Sequence, residues 1–236
     1  NEGDHPVPVS PTEAKTLGID LGLTHYATLS NGEKIANPRH LKKRLKSLRR
    51  ESRKHSRKKL GSKNREKQRI RLARVHEKVT NARTDFLHQL TSKLVKNQDY
   101  ESFAIEDLAV QEMMQKVSKN EARSIGDSGW RTFRRLLGGK CQQSGKSLLV
   151  IGRFDPSSKL CSCGVINHGL TRKQRVWTCQ SCGTTHDRDV LAANNIKRFA
   201  FCKQNTYKDL GTEGSLKSEI FLGADCAEST LGDIAR

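Results

Sequence analysis

TLGIDLGLTHYATLSNGEKIAN, residues 16–37, is the stretch that decides how this chain folds. TLGID reads as a short buried strand, Gly22 permits a turn, and THYATL continues extended beyond it. Asn31-Gly32 is a strong two-residue hairpin signal, so EKIAN returns as a third strand. The opening is a three-strand meander with one acid, Asp20, at the end of an apolar strand.

Upstream, residues 1–15 (NEGDHPVPVSPTEAK) begin without Met and read as a polar linker, from which a further upstream portion is expected. Downstream, the character changes at Pro38. Leu41, Leu45 and Leu48 recur at helical spacing, and 17 of the 35 residues from Leu41 to Val75 are Lys or Arg. After a break at Gly61-Ser62, Val75, Val79, Ala82, Phe86, Leu90 and Leu94 mark a second amphipathic helix. The spacing predicts a basic helical hairpin over 39–98 with one apolar seam. Most charge runs are solvated faces of mixed sign, but Glu51 and Glu66 are the only acids in this window. A one-signed excess points to phosphate, with Lys42, Lys43, Arg44, Lys46, Arg49, Arg50, Arg53, Lys54, Arg57, Lys58 and Lys59 as the contacts.

YESFAI (residues 100–105) returns to strand and ends on Glu106-Asp107. One helix carries Trp130, Phe133, Leu136, Leu137 and Cys141 on a single face, and SLLVIGRF, ending at Phe154, is the next buried strand. Asp155-Pro156-Ser157-Ser158 stops it. His186 to Phe199 follows a cysteine cluster, and its Ala192, Ala193 and Ile196 predict a small-faced helix lying close to a sheet. Residues 201–236 read as a disordered tail.

Composition narrows the function. A formal charge of +19 calls for a polyanionic partner, and nucleic acid is favoured over an anionic membrane surface. No apolar run reaches the length of a membrane span and no signal peptide precedes the meander, which favours nucleic acid over membrane. The metal-type grouping of the cysteines leads to the expectation of a cytoplasmic protein. No Walker-type phosphate loop appears, so ATP is not implied.

Asp20, Glu106 and Asp189 stand out by position: two follow apolar strands and the third opens a helix. Taken singly, each has a plain explanation as a turn residue or helix-start acid. Together, three carboxylates at strand and helix ends match what two hard divalent ions need to cleave a phosphodiester.

Seven cysteines are an odd number, and Cys161, Cys163, Cys179 and Cys182 bunch as a metal site rather than a disulfide framework. Two close pairs across a loop describe a structural zinc ribbon. Cys179-Gln-Ser-Cys182-Gly183 is a regular half, whereas Cys161-Ser162-Cys163-Gly164 is one residue tighter, which leaves His168 or His186 as a candidate further ligand. Ordinary free thiols are the plain alternative. Cys141, Cys202 and Cys226 have no partner pattern.

GIDLGL (18–23), AIEDL (104–108), FDPSSK (154–159) and WTCQSCGTTHDRDVLAANNI (177–196) resemble, in order and spacing, the TnpB/OrfB proteins of bacterial insertion sequences, relatives of type V CRISPR effectors. The resemblance implies an α/β, ribonuclease-H-like (RuvC) mixed sheet with the basic hairpin and a zinc ribbon inserted. It divides the chain into a linker (1–15), a first core part (16–155), the ribbon (156–185) and a final core helix (186–200), followed by the tail (201–236). It implies that Asp20, Glu106 and Asp189 bind two Mg²⁺, that one Zn²⁺ sits on the four cysteines, and that guide RNA and target DNA are the partners. Asp189 is preferred to Asp187 because the family's acid lies immediately before the x-N-A-A-x-N-I run, and Asp187 is left as a cap. Leu191 stands where the family usually has Asn. The activity implied is a metal-dependent DNA endonuclease acting in transposition. The alternative is a non-catalytic nucleic-acid-binding protein, a nuclease-dead repressor or a truncated transposase remnant. Nothing upstream of residue 16 resembles the family's N-terminal recognition region, so this chain reads as the nuclease portion.

Overall fold

Alternation along the meander sets the two faces of the sheet. The computed structural model describes residues 10–153 and 155–206. Strands β1 (Thr16–Leu21), β2 (His25–Leu29) and β3 (Lys34–Ala36) form the expected antiparallel meander. Strands β4 (Ser102–Glu106) and β5 (Ser147–Ile151) add in parallel on the other side of β1, giving the order β3-β2-β1-β4-β5.

Odd-numbered residues of β1 and β4 point one way. Leu17, Ile19, Phe103 and Ile105 join one core with helices α2 (Lys63–Lys96) and α5 (Trp130–Gln143), through Leu87, Leu90, Phe133 and Leu137. Even-numbered residues face helix α6 (Arg188–Thr206), where Ala104 packs with Ile196, Phe199 and Ala200. Gly18 lies on this face, and a Cβ there would stand 2.0 Å from the carbonyl oxygen of Ala193. Helix and strand can touch this closely only because one side is glycine and the other alanine. The small-faced helix read from the sequence is this contact.

The basic segment forms helix α1 (His40–Ser56) packed against α2. Gly61, at φ 76°, makes the turn, and the Ser62 hydroxyl accepts the Arg65 N–H to cap α2. Beside Leu48 the seam holds a buried polar pair: the Gln68 amide donates to the Glu51 carboxylate at 2.8 Å.

Three readings change. The strand expected to be buried and to end at Phe154 closes at Ile151 and is half-buried, with Val150 40% exposed, because β5 is the edge of the sheet; Phe154 lies outside the described residues. Helices α3 (Val110–Gln115) and α4 (Lys119–Ser128), unread in the sequence, fill the passage from β4 to α5. Helix α6 continues to Thr206, past the boundary expected at 200, and the rest of the expected tail lies outside the described residues.

The cysteine segment makes a second small sheet from β6 (Val176–Thr178) and β7 (Thr185–Asp187), and β7 runs directly into α6. No helix is long and apolar enough to cross a membrane among the described residues.

Candidate active site and metal centre

The ladder between β1 and β4 pairs Gly18 with Ala104 and Ile19 with Ile105. One step further along the two parallel strands stand Asp20 and Glu106, on strands about 4.8 Å apart and on the face that α6 covers. The first turn of α6 brings Asp189 to the same place. All three acids line one open cleft of about 770 Å³, together with Asp155 from the turn after β5.

Burial and like charge both act on Asp20 and Glu106. Burial, with the neighbouring Asp189 carboxylate adding to it against the pull of Arg188 and Arg175, pushes Asp20 up to about 7. Burial pushes Glu106 up to about 7 as well, with Asp20 and Asp155 adding to it. Clustered carboxylate oxygens are the donor set that suits Mg²⁺ or Mn²⁺. Their sequence neighbours behave oppositely. The Arg153 guanidinium and then that of Arg134 hold Asp107 below the usual carboxylate range. Asp187, despite its partial burial, is held low by the Lys34 ammonium, 2.6 Å away, and by backbone N–H groups. Its Oδ1 accepts from Asp189 N at 3.1 Å and from Val190 N at 3.2 Å, so it caps α6.

The four cysteines converge too. The sulfurs of Cys161, Cys163, Cys179 and Cys182 all lie within 4.8 Å of one another. Cys161 to Cys182 is 3.5 Å and Cys163 to Cys179 is 3.7 Å. A tetrahedral zinc with Zn–S near 2.3 Å has S···S edges of about 3.8 Å, so the group can hold such an ion. The tight half closes by the same device as the regular one. Gly183 N donates to the Cys179 carbonyl, and Gly164 N donates to that of Cys161, one residue sooner. Both glycines have positive φ, 74° and 91°, which a side chain would disfavour. Of the two candidate histidines, His168 lines the acid cleft, whereas His186 Nε2 lies 3.0 Å from Cys161 Sγ.

Residues 3–117 match the OrfB_IS605 family, described as "Probable transposase", and residues 130–196 match "Cas12f1-like, TNB domain". A Streptomyces pristinaespiralis protein named "Putative RNA-guided DNA endonuclease" is 44% identical over 188 residues, 79% of this chain and 46% of its own length. Escherichia coli K12 has "Putative RNA-guided DNA endonuclease InsQ", 32% identical over 208 residues, 83% of this chain and 51% of its own.

The chain belongs to the TnpB/OrfB family.

This TnpB/OrfB chain spans about half the length of the curated relatives it matches. Its fold is that of a chain in "Cryo-EM structure of the Cas12f1-sgRNA-target DNA complex", with a TM-score of 0.56 at 17% identity, covering 80% of this chain and 51% of that one. A second, "Cryo-EM structure of CRISPR-Cas12f Ternary Complex", gives 0.57 at 18% identity, covering 84% and 40%. The family match begins inside the stretch expected as linker, at residue 3.

Away from the acids, the eleven cations expected to meet phosphate are all exposed, on α1 and the turn after it, outside the cleft. Arg50 and Lys54 pair with Glu51. Sequence reasoning missed Asp155, treated as a strand stop, although it stood inside the quoted FDPSSK. It also missed the cleft's own cations: Arg153, Lys159, Arg175 and Arg188. No periodicity marks these; loops bring in Arg153, Lys159 and Arg175, and the start of α6 brings in Arg188.

Proposed function

We propose that this chain is the nuclease portion of a transposon-encoded, RNA-guided DNA endonuclease of RuvC-like, ribonuclease-H-like fold, acting in the bacterial cytoplasm. The observation that carries the reading is the meeting of Asp20, Glu106 and Asp189, from positions far apart in the chain, in one cleft. The sheet order, with an antiparallel meander and two added parallel strands, supports the fold assignment. Guide RNA and target DNA are proposed as partners from the names of the relatives and of the Cas12f complexes.

Asp20, Glu106 and Asp189 would hold two Mg²⁺, with Asp155 beside Glu106. The ions would supply a nucleophilic hydroxide and neutralise charge on the attacking and leaving oxygens. Asp20 and Glu106 must give up their protons to serve, which burial, and after it the neighbouring carboxylates, resist until cations are present. Arg153, Lys159 and Arg188 line the same cleft and would orient the scissile phosphate by its free oxygens. The four cysteines would hold one structural Zn²⁺, and the exposed cations of α1 would follow the nucleic-acid backbone.

The test pairs the chain with the remaining length that its relatives possess and with a guide RNA. Target DNA should be cut with Mg²⁺, and Asp20→Ala should abolish cutting while binding persists. Undiminished cutting by Asp20→Ala would refute the site. Binding without cutting by the parent chain would leave a non-catalytic binding protein.

A further inference from the structure

The cysteine cluster and the acid cleft look like separate sites, one structural and one chemical. Three contacts join them. Leu191, in the first turns of α6, is buried among Cys161, Leu170, Trp177 and Cys179, so a residue of the core helix completes the ribbon's own apolar cluster. His186, on β7, sets its Nε2 3.0 Å from Cys161 Sγ and its ring 4.9 Å from that of Trp177. Asp187 follows at once and caps the N–H groups of Asp189 and Val190. Asp189 is therefore bracketed, three residues before by a side chain on the sulfurs and two residues after by another. A helix turn held at both ends cannot move alone.

Arg175 closes the frame. Standing just before β6, it donates to Asp189 Oδ1 at 2.9 Å and to Thr24 Oγ1 at 3.1 Å, tying the ribbon to both the third acid and the turn after β1.

We infer that Leu191 and His186 are positioning residues that transmit metal occupancy of the four-cysteine site to Asp189, so that the sulfur site and the carboxylate site are energetically coupled. This rests on the reading of the acid cleft as a divalent-cation site. With zinc on the sulfurs, the β7–α6 junction is held and Asp189 stands ready beside Asp20. With the sulfurs empty, Cys161 loses its anchor, the junction relaxes, and the carboxylate trio must be assembled when hard cations bind. Linkage makes the effect reciprocal: a cation in the cleft tightens zinc by the same factor.

The experiment measures Mn²⁺ binding by the whole chain, using the EPR signal of free Mn²⁺, with zinc loaded and with zinc removed. Oxygen-preferring Mn²⁺ reports the cleft, not the thiolates. Zinc should tighten Mn²⁺ by roughly tenfold, within the range of coupled sites. Because stripping zinc could unfold the ribbon, the zinc-loaded variants Leu191→Ala, His186→Ala and His186→Gln are measured as well. Each should retain one zinc per chain. Leu191→Ala and His186→Ala should weaken Mn²⁺, whereas His186→Gln, which keeps an N–H for the sulfur, should restore most of the affinity. Equal Mn²⁺ affinity in the zinc-loaded parent, the zinc-free chain and Leu191→Ala would overturn the coupling and leave the nuclease reading intact. Absence of Mn²⁺ binding even by the zinc-loaded parent, or binding undisturbed by Asp20→Asn, would overturn both.

Discussion

Glu106 and Asp107 are adjacent acids with opposite fates. Glu106, on the even face of β4, is pushed up to about 7 by burial and then by Asp20 and Asp155. Asp107 turns to Arg153 and Arg134 and is held low. The folded chain keeps protons on Asp20 and Glu106 where the unfolded chain, titrating near 4, has released them. Their contribution to stability is therefore present at low pH and lost as pH rises from about 4 through about 7. Asp20→Asn should stabilise the metal-free chain, by at most on the order of 4 kcal/mol from a shift of about three pH units, and so raise its melting temperature. Thermal melts across pH should show the gain widest above about pH 7 and shrinking as pH falls from about 7 to about 4; a variant less stable than the parent at about pH 8 would contradict it. Gly18 is the other decisive residue. Gly18→Ala must displace the backbone of Ala193, so urea unfolding should show a loss of about 3 kcal/mol or more, above ordinary overpacking.

At the scale of elements, the helical hairpin was legible because its apolar spacing and its turn chemistry agree. Ser118-x-x-Glu121 has capping-box spacing that the sequence reading passed over, and the Ser118 hydroxyl accepts the Glu121 N–H of α4. The segment that follows has too few apolar residues to show a period, which hides this helix from spacing arguments. Lys42, Lys46, Arg49 and Arg53 recur at steps of four and three, along one exposed stripe of α1, and make no ion pair among the described residues. Changing all four to Gln should leave stability within about 0.5 kcal/mol. It should reduce the salt dependence of nucleic-acid binding by roughly 0.7 to 0.9 in slope for each phosphate that is no longer neutralised. An unchanged slope in filter binding would place the phosphate-binding cations elsewhere.

Across the whole molecule, the ribbon and the sheet depend on different forces. The sheet has two apolar clusters, one on each face; the ribbon lends Leu160 and Ile166 to one of them, and around its sulfurs stand Leu170 and Trp177 with Leu191 from α6. A segment with so small a core depends on its ion. Chelation at neutral pH should open residues 156–185 to protease while 16–151 remains protected. Simultaneous digestion of both would show that the metal holds the entire chain.

The meander, the hairpin, the helix that closes on Gly18 and the pairing of cysteines were readable from the order of residues alone, because each rests on local period, turn chemistry or spacing. Which acids share the cleft was decided by tertiary structure. Asp20 and Glu106 meet through a parallel ladder between strands some eighty residues apart, and Asp189 joins them only because α6 crosses that face. The opposed fates of Asp187 and Asp189, the separation of His168 from His186, and the burial of Leu191 against the sulfurs were likewise set by packing. Side-chain direction and long-range register depend on what lies opposite, and no run of neighbours along a chain carries that information.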